Sequence, residues 1–251
     1  MYKRQSYDDG DEFQEFGLRW SGQGFTYASS PGWKIPDKPS LDDLPISSFV
    51  GVASVIDLSR SHLKLQISAG DFTDSQPDEI RPLVILRTNH ASTTPLRRRE
   101  YWSETVTLTP AIADFLAERG VVNVCVDLSC DSIPSRRSNS AGGIYNKNQE
   151  FRSRAHDLGM VVTENIIIPD DVPDEVFLFA LPLRGQGMTT ALTRPVALRN
   201  WPSDSPIITD VSTPYMNHWR WRLELWKTKT EAPFCLLYTS DAADEGLGVD
   251  L

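Results

Sequence analysis

The chain has 251 residues, 40% of them apolar and 24% charged, with a formal net charge of −9. That length suits one domain with a full-sized core. No apolar run approaches the roughly 20 residues that cross a bilayer, and the only compact basic run, Arg97-Arg98-Arg99, is too small a footprint for nucleic acid, so neither membrane nor nucleic acid is an expected partner.

The first twenty residues carry Asp8, Asp9, Asp11, Glu12 and Glu15 and no apolar core, unlike a secretory leader, and the expectation is a cytoplasmic protein. Strands are predicted over 49–58 and 83–88, both rich in Val, Ile and Leu. Thr109 then opens a helix as N-cap with Pro110 in its first turn; Ile112, Phe115 and Leu116 share one face, and Gly120 stops it. The chain runs straight into a strand over 121–128. Residues 134–147, rich in Ser, Arg, Asn and Gly, read as a loop. A second helix covers 149–158, with Phe151, Ala155 and Leu158 on its buried face and Gly159 as its stop. Strands over 160–168 and 176–183 follow. Their near-continuous apolar character fits strands covered on both faces, and the alternation of strand and helix gives an α/β class. Further on, His218-Trp219-Arg220-Trp221-Arg222-Leu223-Glu224-Leu225 alternates with the period of a half-buried strand, with Trp219 and Trp221 as packing residues.

Cys125, Cys130 and Cys235 are odd in number and lack C-x-x-C spacing, which points to reduced thiols. Residues 1–5 and about 232–251 resemble translated sequencing-adaptor DNA and are read as non-native ends. Between them lie a domain over 8–201 and a C-terminal extension over 202–231.

A series of short elements runs through the domain in a fixed order. Leu44-Pro45 and Phe49-Val50-Gly51 lead into Val55-Ile56-Asp57-Leu58. Val84-Ile85-Leu86-Arg87-Thr88, Leu108-Thr109-Pro110, Phe115-Leu116-Ala117-Glu118-Arg119-Gly120-Val121 and Val126-Asp127 come next, then Glu164-Asn165, Ala180-Leu181-Pro182-Leu183 and Pro195-Val196. In this order and spacing the chain resembles the cyclase family that includes bacterial kynurenine formamidases and isatin hydrolases. The resemblance implies a mixed β-sheet core flanked by helices, often a homodimer, and metal-dependent hydrolysis of arylformamides or cyclic amides on zinc or manganese.

The family writes its metal site as H-x-G-T-H-x-D-x-P-x-H. Here, anchored on Pro31, those positions hold Gln23, Tyr27 and Ser29 in place of two histidines and an aspartate, and Trp33 in place of the last, catalytic histidine. A phenol of pKa about 10 and an aliphatic hydroxyl stay protonated at neutral pH and do not replace imidazole and carboxylate donors. The family also places a histidine twelve residues before a glutamate; counting back from Glu164 reaches Arg152. Two arrangements follow for this pair. Either the Arg152 guanidinium enters the vacated volume and pairs with Glu164, or Glu164 meets solvent at its strand end. Phe25, Tyr27 and Trp33, with Trp20 near in sequence, either fill the former site or line a remodelled pocket for a planar, aromatic ligand.

Outside this set, His90 follows a strand and is the best surviving general base, or else a hydrogen-bonded residue without a catalytic partner. His62 and His156 sit among polar neighbours and are expected to face water. Cys130 is a nucleophile only if a base approaches it; otherwise it is a partly buried thiol. Arg136 and Arg137 meet an anion or simply solvate their loop. No cofactor is expected. The leading expectation is a degenerate family member without metal-dependent turnover, with a binding or structural role. The alternatives are an amide hydrolase activated by other residues and an interaction protein acting through its surface.

Overall fold

The computed structural model describes residues 2–5, 15–17, 25–59, 66–72, 79–96, 98, 100–130 and 147–199. In chain order its strands are β1 (Tyr2–Gln5), β2 (Glu15–Gly17), β3 (Tyr27–Ser29), β4 (Val50–Asp57), β5 (Gln66–Ile67), β6 (Leu83–Arg87), β7 (Thr107–Leu108), β8 (Asn123–Val126), β9 (Val161–Glu164), β10 (Glu175–Phe179), β11 (Thr190–Leu192) and β12 (Val196–Leu198). The helices are α1 (His90–Thr93), α2 (Glu100–Ser103), α3 (Pro110–Ala117) and α4 (Asn148–Asp157), and a 3-10 turn spans Pro31–Trp33. β1 and β2 form an antiparallel ribbon, and β5 pairs in parallel with β7. The expected strand over 218–225, the extension over 202–231, and Arg136, Arg137, His62 and Gln23 lie outside the described residues.

The central sheet is mixed, in the order β11-β3-β9-β8-β6-β4-β10-β12. β4, β6, β8 and β9 run parallel, while β3 and β10 flank them antiparallel. β11 and β12 stand at opposite edges, yet only Thr193, Arg194 and Pro195 separate them. Four Cα steps reach at most about 14 Å, whereas eight flat strands about 4.8 Å apart would put the edges about 34 Å from each other. The sheet must therefore curl. Its closure is visible in the register: Phe177 faces Leu198, Phe179 faces Val196, and Pro182 faces Thr193 in one continuous antiparallel ribbon. The chain from 190 to 198 thus pairs first with β3 and then with β10.

Alternation within the parallel strands divides the core. Ile56, Val84, Leu86, Val124, Val126 and Val162 point to the side covered by α3 and α4, where Ile112, Leu116, Phe151 and Ala155 meet them. Ala53, Val55, Leu83, Ile85 and Cys125 point the other way, onto Val176, Leu178, Ile166 and Ile168. Both faces are covered, which is why the strands read as unbroken apolar runs.

Local chemistry sets the ends. Gly120 and Gly159 take φ of +76° and +88° just after α3 and α4, a left-handed conformation that costs glycine nothing. The expected strand over 160–168 stops at Glu164 because Asn165 turns left-handed, φ +60°. Thr109 precedes α3 with Pro110 in the first turn, but its side chain makes no capping hydrogen bond. Leu158, expected on the buried face of α4, sits at the end of that helix with 36% of its surface exposed.

Leu116 is fully buried between α3 and the sheet. Leu116→Ala should lower unfolding free energy by about 3 kcal/mol, the transfer cost plus the cavity cost of such a truncation. Urea denaturation followed by far-ultraviolet circular dichroism measures it; a loss no larger than that of an exposed Leu198→Ala control would contradict this packing.

Candidate functional site

The alternation that puts Val162 on the helix side puts Glu164 there too, two residues on. β3 runs antiparallel beside it, with Tyr27 opposite Glu164 and Ser29 opposite Val162, so both side chains join the same face. α4 covers this face. Its buried residues are Asn148, Phe151, Arg152, Ala155 and His156, the spacing of one helical stripe. The turn at Pro31–Trp33 adds Trp33 from above β3. Four of the sequence-matched positions, Tyr27, Ser29, Arg152 and Glu164, are therefore brought together with Trp33 in one place, and all four are fully buried.

Arg152 lies at the centre. Its Nη1 donates to Glu164 Oε1 at 3.0 Å and to the Tyr27 hydroxyl at 2.8 Å. Its guanidinium carbon stacks over the Trp33 ring, 4.1 Å from the centroid. Glu164 Oε2 accepts from the Cys130 backbone N–H at 2.6 Å. Of the two arrangements open in the sequence, the structure adopts the buried pair, and Glu164 does not meet solvent.

His156, one turn after Arg152, is fully buried, not facing water as expected. Its ring lies 6.0 Å from Trp33 at 62°, and its Nε2 is 3.2 Å from Ser29 Oγ. Serine beside imidazole suggests a nucleophile and its base, but the proton points the wrong way. Ser29 donates to the Val162 carbonyl at 3.2 Å, which can only accept, so Ser29 Oγ in turn accepts from the imidazole N–H. Burial, and then the nearby Arg152 guanidinium, push His156 down to about 3. A base that weak does not activate a hydroxyl at neutral pH. The pair is structural.

The aromatic residues fill this volume. Tyr27 and Trp33 contact Arg152, whereas Phe25, expected beside them, is 65% exposed. Its backbone explains the difference: Phe25 takes φ +61° and its carbonyl accepts from Asn165 Nδ2 at 2.8 Å, leaving the ring outside. A shallow groove of about 480 Å3 along the outer side of α4, lined by Lys34, Gln149, Glu150, Ser153, Arg154 and Asp157, reaches neither Arg152 nor Glu164.

A second polar cluster closes the ends of β6 and β8. Asp127 accepts from the Thr88 N–H at 3.0 Å and from its hydroxyl at 2.5 Å; burial raises its carboxyl and these bonds oppose the rise. His90, the surviving general-base candidate, is buried at the start of α1, and its Nε2–H donates to the Tyr101 carbonyl at 2.7 Å. Tyr101 in turn donates to Asn165 Oδ1 at 2.9 Å, and Thr26 to the Asn165 carbonyl at 2.7 Å. Cys130 is fully buried, which removes it as an accessible nucleophile.

Residues 7–131 match the family described as "Putative cyclase". Over these residues the chain is similar to the cyclase family. The match spans Tyr27, Ser29 and Trp33 and ends before Arg152 and Glu164. Among solved structures, isatin hydrolase A from Ralstonia solanacearum is 19% identical, with a TM-score of 0.61 over 78% of this chain and 80% of that one. Isatin hydrolase A from Labrenzia aggregata bound to benzyl benzoate is 18% identical, TM-score 0.59, over 78% and 82%. A predicted metal-dependent hydrolase from Bacillus stearothermophilus is 16% identical, TM-score 0.55, over 78% and 84%. At these identities the likeness is one of fold, the mixed curled sheet with few helices. No curated protein matches the chain.

The metal that this fold's relatives imply does not fit the side chains present. Among the described residues no three His, Cys, Asp or Glu side chains stand close enough to hold an ion. The one carboxylate in the cluster, Glu164, is engaged by a guanidinium and an amide N–H, and a divalent cation entering there would face a fixed positive charge.

Neutral, buried His156 makes stability pH-dependent. Its folded-state pKa lies below the ordinary 6.5, so its contribution is intact above about pH 6.5 and is lost as pH falls, at up to about 1.4 kcal/mol per pH unit. Thermal melts from pH 7 to 4.5 should show a shallower acid decline for His156→Gln than for the wild type. Parallel declines would refute this assignment.

Proposed function

We propose that this chain is a metal-free member of the cyclase family with a binding or structural role, and that it does not perform the metal-dependent hydrolysis of arylformamides or cyclic amides. The observation that carries the reading is Arg152: its guanidinium sits against the carboxylate of Glu164, stacked on Trp33 and bonded to Tyr27, with Arg152, Glu164 and Tyr27 fully buried. Catalysis of this kind uses a divalent ion to bring bound water to a pKa of about 7 and to polarise the amide carbonyl. A buried guanidinium does neither.

An amide hydrolase working through other residues needs an accessible nucleophile or base. Ser29, His90, Cys130 and His156 are buried, and the three that are not cysteine hold structural hydrogen bonds through their side chains. The partners this reading retains are a planar aromatic ligand and a second copy of the chain, both engaged at the surface. Among the described residues no helix is long and apolar enough to cross a membrane. The buried thiols of Cys125 and Cys130 suit the reducing cytoplasm, where we place the protein.

Protein purified without chelator should carry far less than one equivalent of zinc or manganese by elemental analysis. It should hydrolyse isatin and N-formylkynurenine no faster than buffer, with or without added metal. A stoichiometric metal together with turnover that a chelator abolishes would sink the proposal.

A further inference from the structure

We propose that Arg152 is a resident counter-ion: its guanidinium supplies, from within the chain, the positive charge that Glu164 needs, and with it fastens five segments that a bound ion would otherwise hold. The inference rests on the metal-free reading and gives the cluster a definite task. α4 contributes Arg152, β9 contributes Glu164, β3 contributes Tyr27 and the Pro31–Trp33 turn contributes Trp33. The chain just after β8 contributes the Cys130 N–H. The two carboxylate oxygens divide the work, one held from α4 and the other from the Cys130 backbone.

Charge, not bulk, is the operative property. A carboxylate with no exposed surface and no cation beside it is costly, whereas a neutral pair of similar shape in the same place is cheap. A space-filling Arg152 would be replaced well by methionine, and its effect would add to that of a change at Glu164. A counter-ion behaves otherwise, because losing the cation harms the fold mainly while the anion remains.

The test is a double-substitution cycle read by melting temperature, with Arg152→Met, Arg152→Lys, Glu164→Gln and the Arg152→Met/Glu164→Gln pair in the full chain. Chelator should leave the wild-type Tm where it was. Arg152→Met should lower Tm by about 10 °C, the scale expected for stranding a buried charge in a domain of this size. Arg152→Lys, which keeps the charge but loses the planar stack and fork, should fall between. The pair should regain at least half of the loss. If Arg152→Met does not fold, a folded double variant supports the assignment and an unfolded one overturns it. Additive effects, or an Arg152→Met protein as stable as wild type, also overturn it. These results separate from the functional reading: an additive cycle in a protein without metal or turnover removes the counter-ion alone, while stoichiometric metal with turnover removes the metal-free reading whatever the cycle shows.

Discussion

Taking a carboxylate and a guanidinium out of water costs several kcal/mol for each ion, and the structure around Arg152 and Glu164 is arranged against that cost. The direct contact of 3.0 Å recovers Coulomb energy in a medium where it is weakly screened. Two further short bonds support the pair, Cys130 N–H to the second carboxylate oxygen and Nη1 to the Tyr27 hydroxyl. Trp33 offers its π face to the planar cation, a surface that arginine tolerates better than a compact ammonium would. Burial first, and then the Arg152 charge one turn away, disfavour a protonated His156. The imidazole therefore stays neutral and acts as a hydrogen-bond donor.

The pair depends on register, and register depends on the residue after Glu164. Asn165 adopts a left-handed conformation that asparagine accepts more readily than most residues. That turn ends β9 and lets the Asn165 side chain and carbonyl bind the backbone of Phe25 and the hydroxyl of Thr26, immediately before β3. Tyr27 is thereby placed opposite Glu164. A slip of one residue would move Tyr27 and Ser29 to the other face of the sheet, away from α4. The curled sheet supports this from the other side, because β11 pairs with β3 before the same chain crosses to β10.

Much of this was legible in the sequence, and the exceptions have physical causes. Continuous apolar runs located β4, β6, β8, β9 and β10, and Pro110 with Gly120 bracketed α3. The family's spacing, counted twelve residues back from Glu164, found Arg152, and its metal-site pattern anchored on Pro31 singled out Tyr27 and Ser29. His156 was missed because the face of α4 was judged by its apolar residues. Positions 148, 151, 152, 155 and 156 form a full helical stripe, but three of them are Asn, Arg and His, so hydropathy hid a pattern that spacing displays. Phe25 misled for the opposite reason. Its type suggested burial, while a left-handed backbone at a bulky residue, which no local composition announces, turned it outward. The passage of residues 190–198 between two sheet edges was illegible as well, since strands of three residues are too short to carry a periodic signal.

That the spacing matches the family pattern while the side chains differ from it follows from what holds each. The intervals between Tyr27 and Ser29 and between Arg152 and Glu164 are fixed by strand period, by helix rise and by the packing of α4 on the sheet, all of which serve the core whatever side chains occupy the cluster. The identity of the ligands is held by nothing except the ion. Once an arginine from α4 neutralises Glu164, an imidazole or a second carboxylate at positions 27 and 29 gains no stabilising partner, and a carboxylate at 29 would add an anion that one guanidinium must share. Tyrosine and serine satisfy the new requirement better: each bonds to its neighbours, remains uncharged and fills the space. On the proposed metal-free reading, the backbone of such a site needs no ion, because a cation from the chain itself takes the central place.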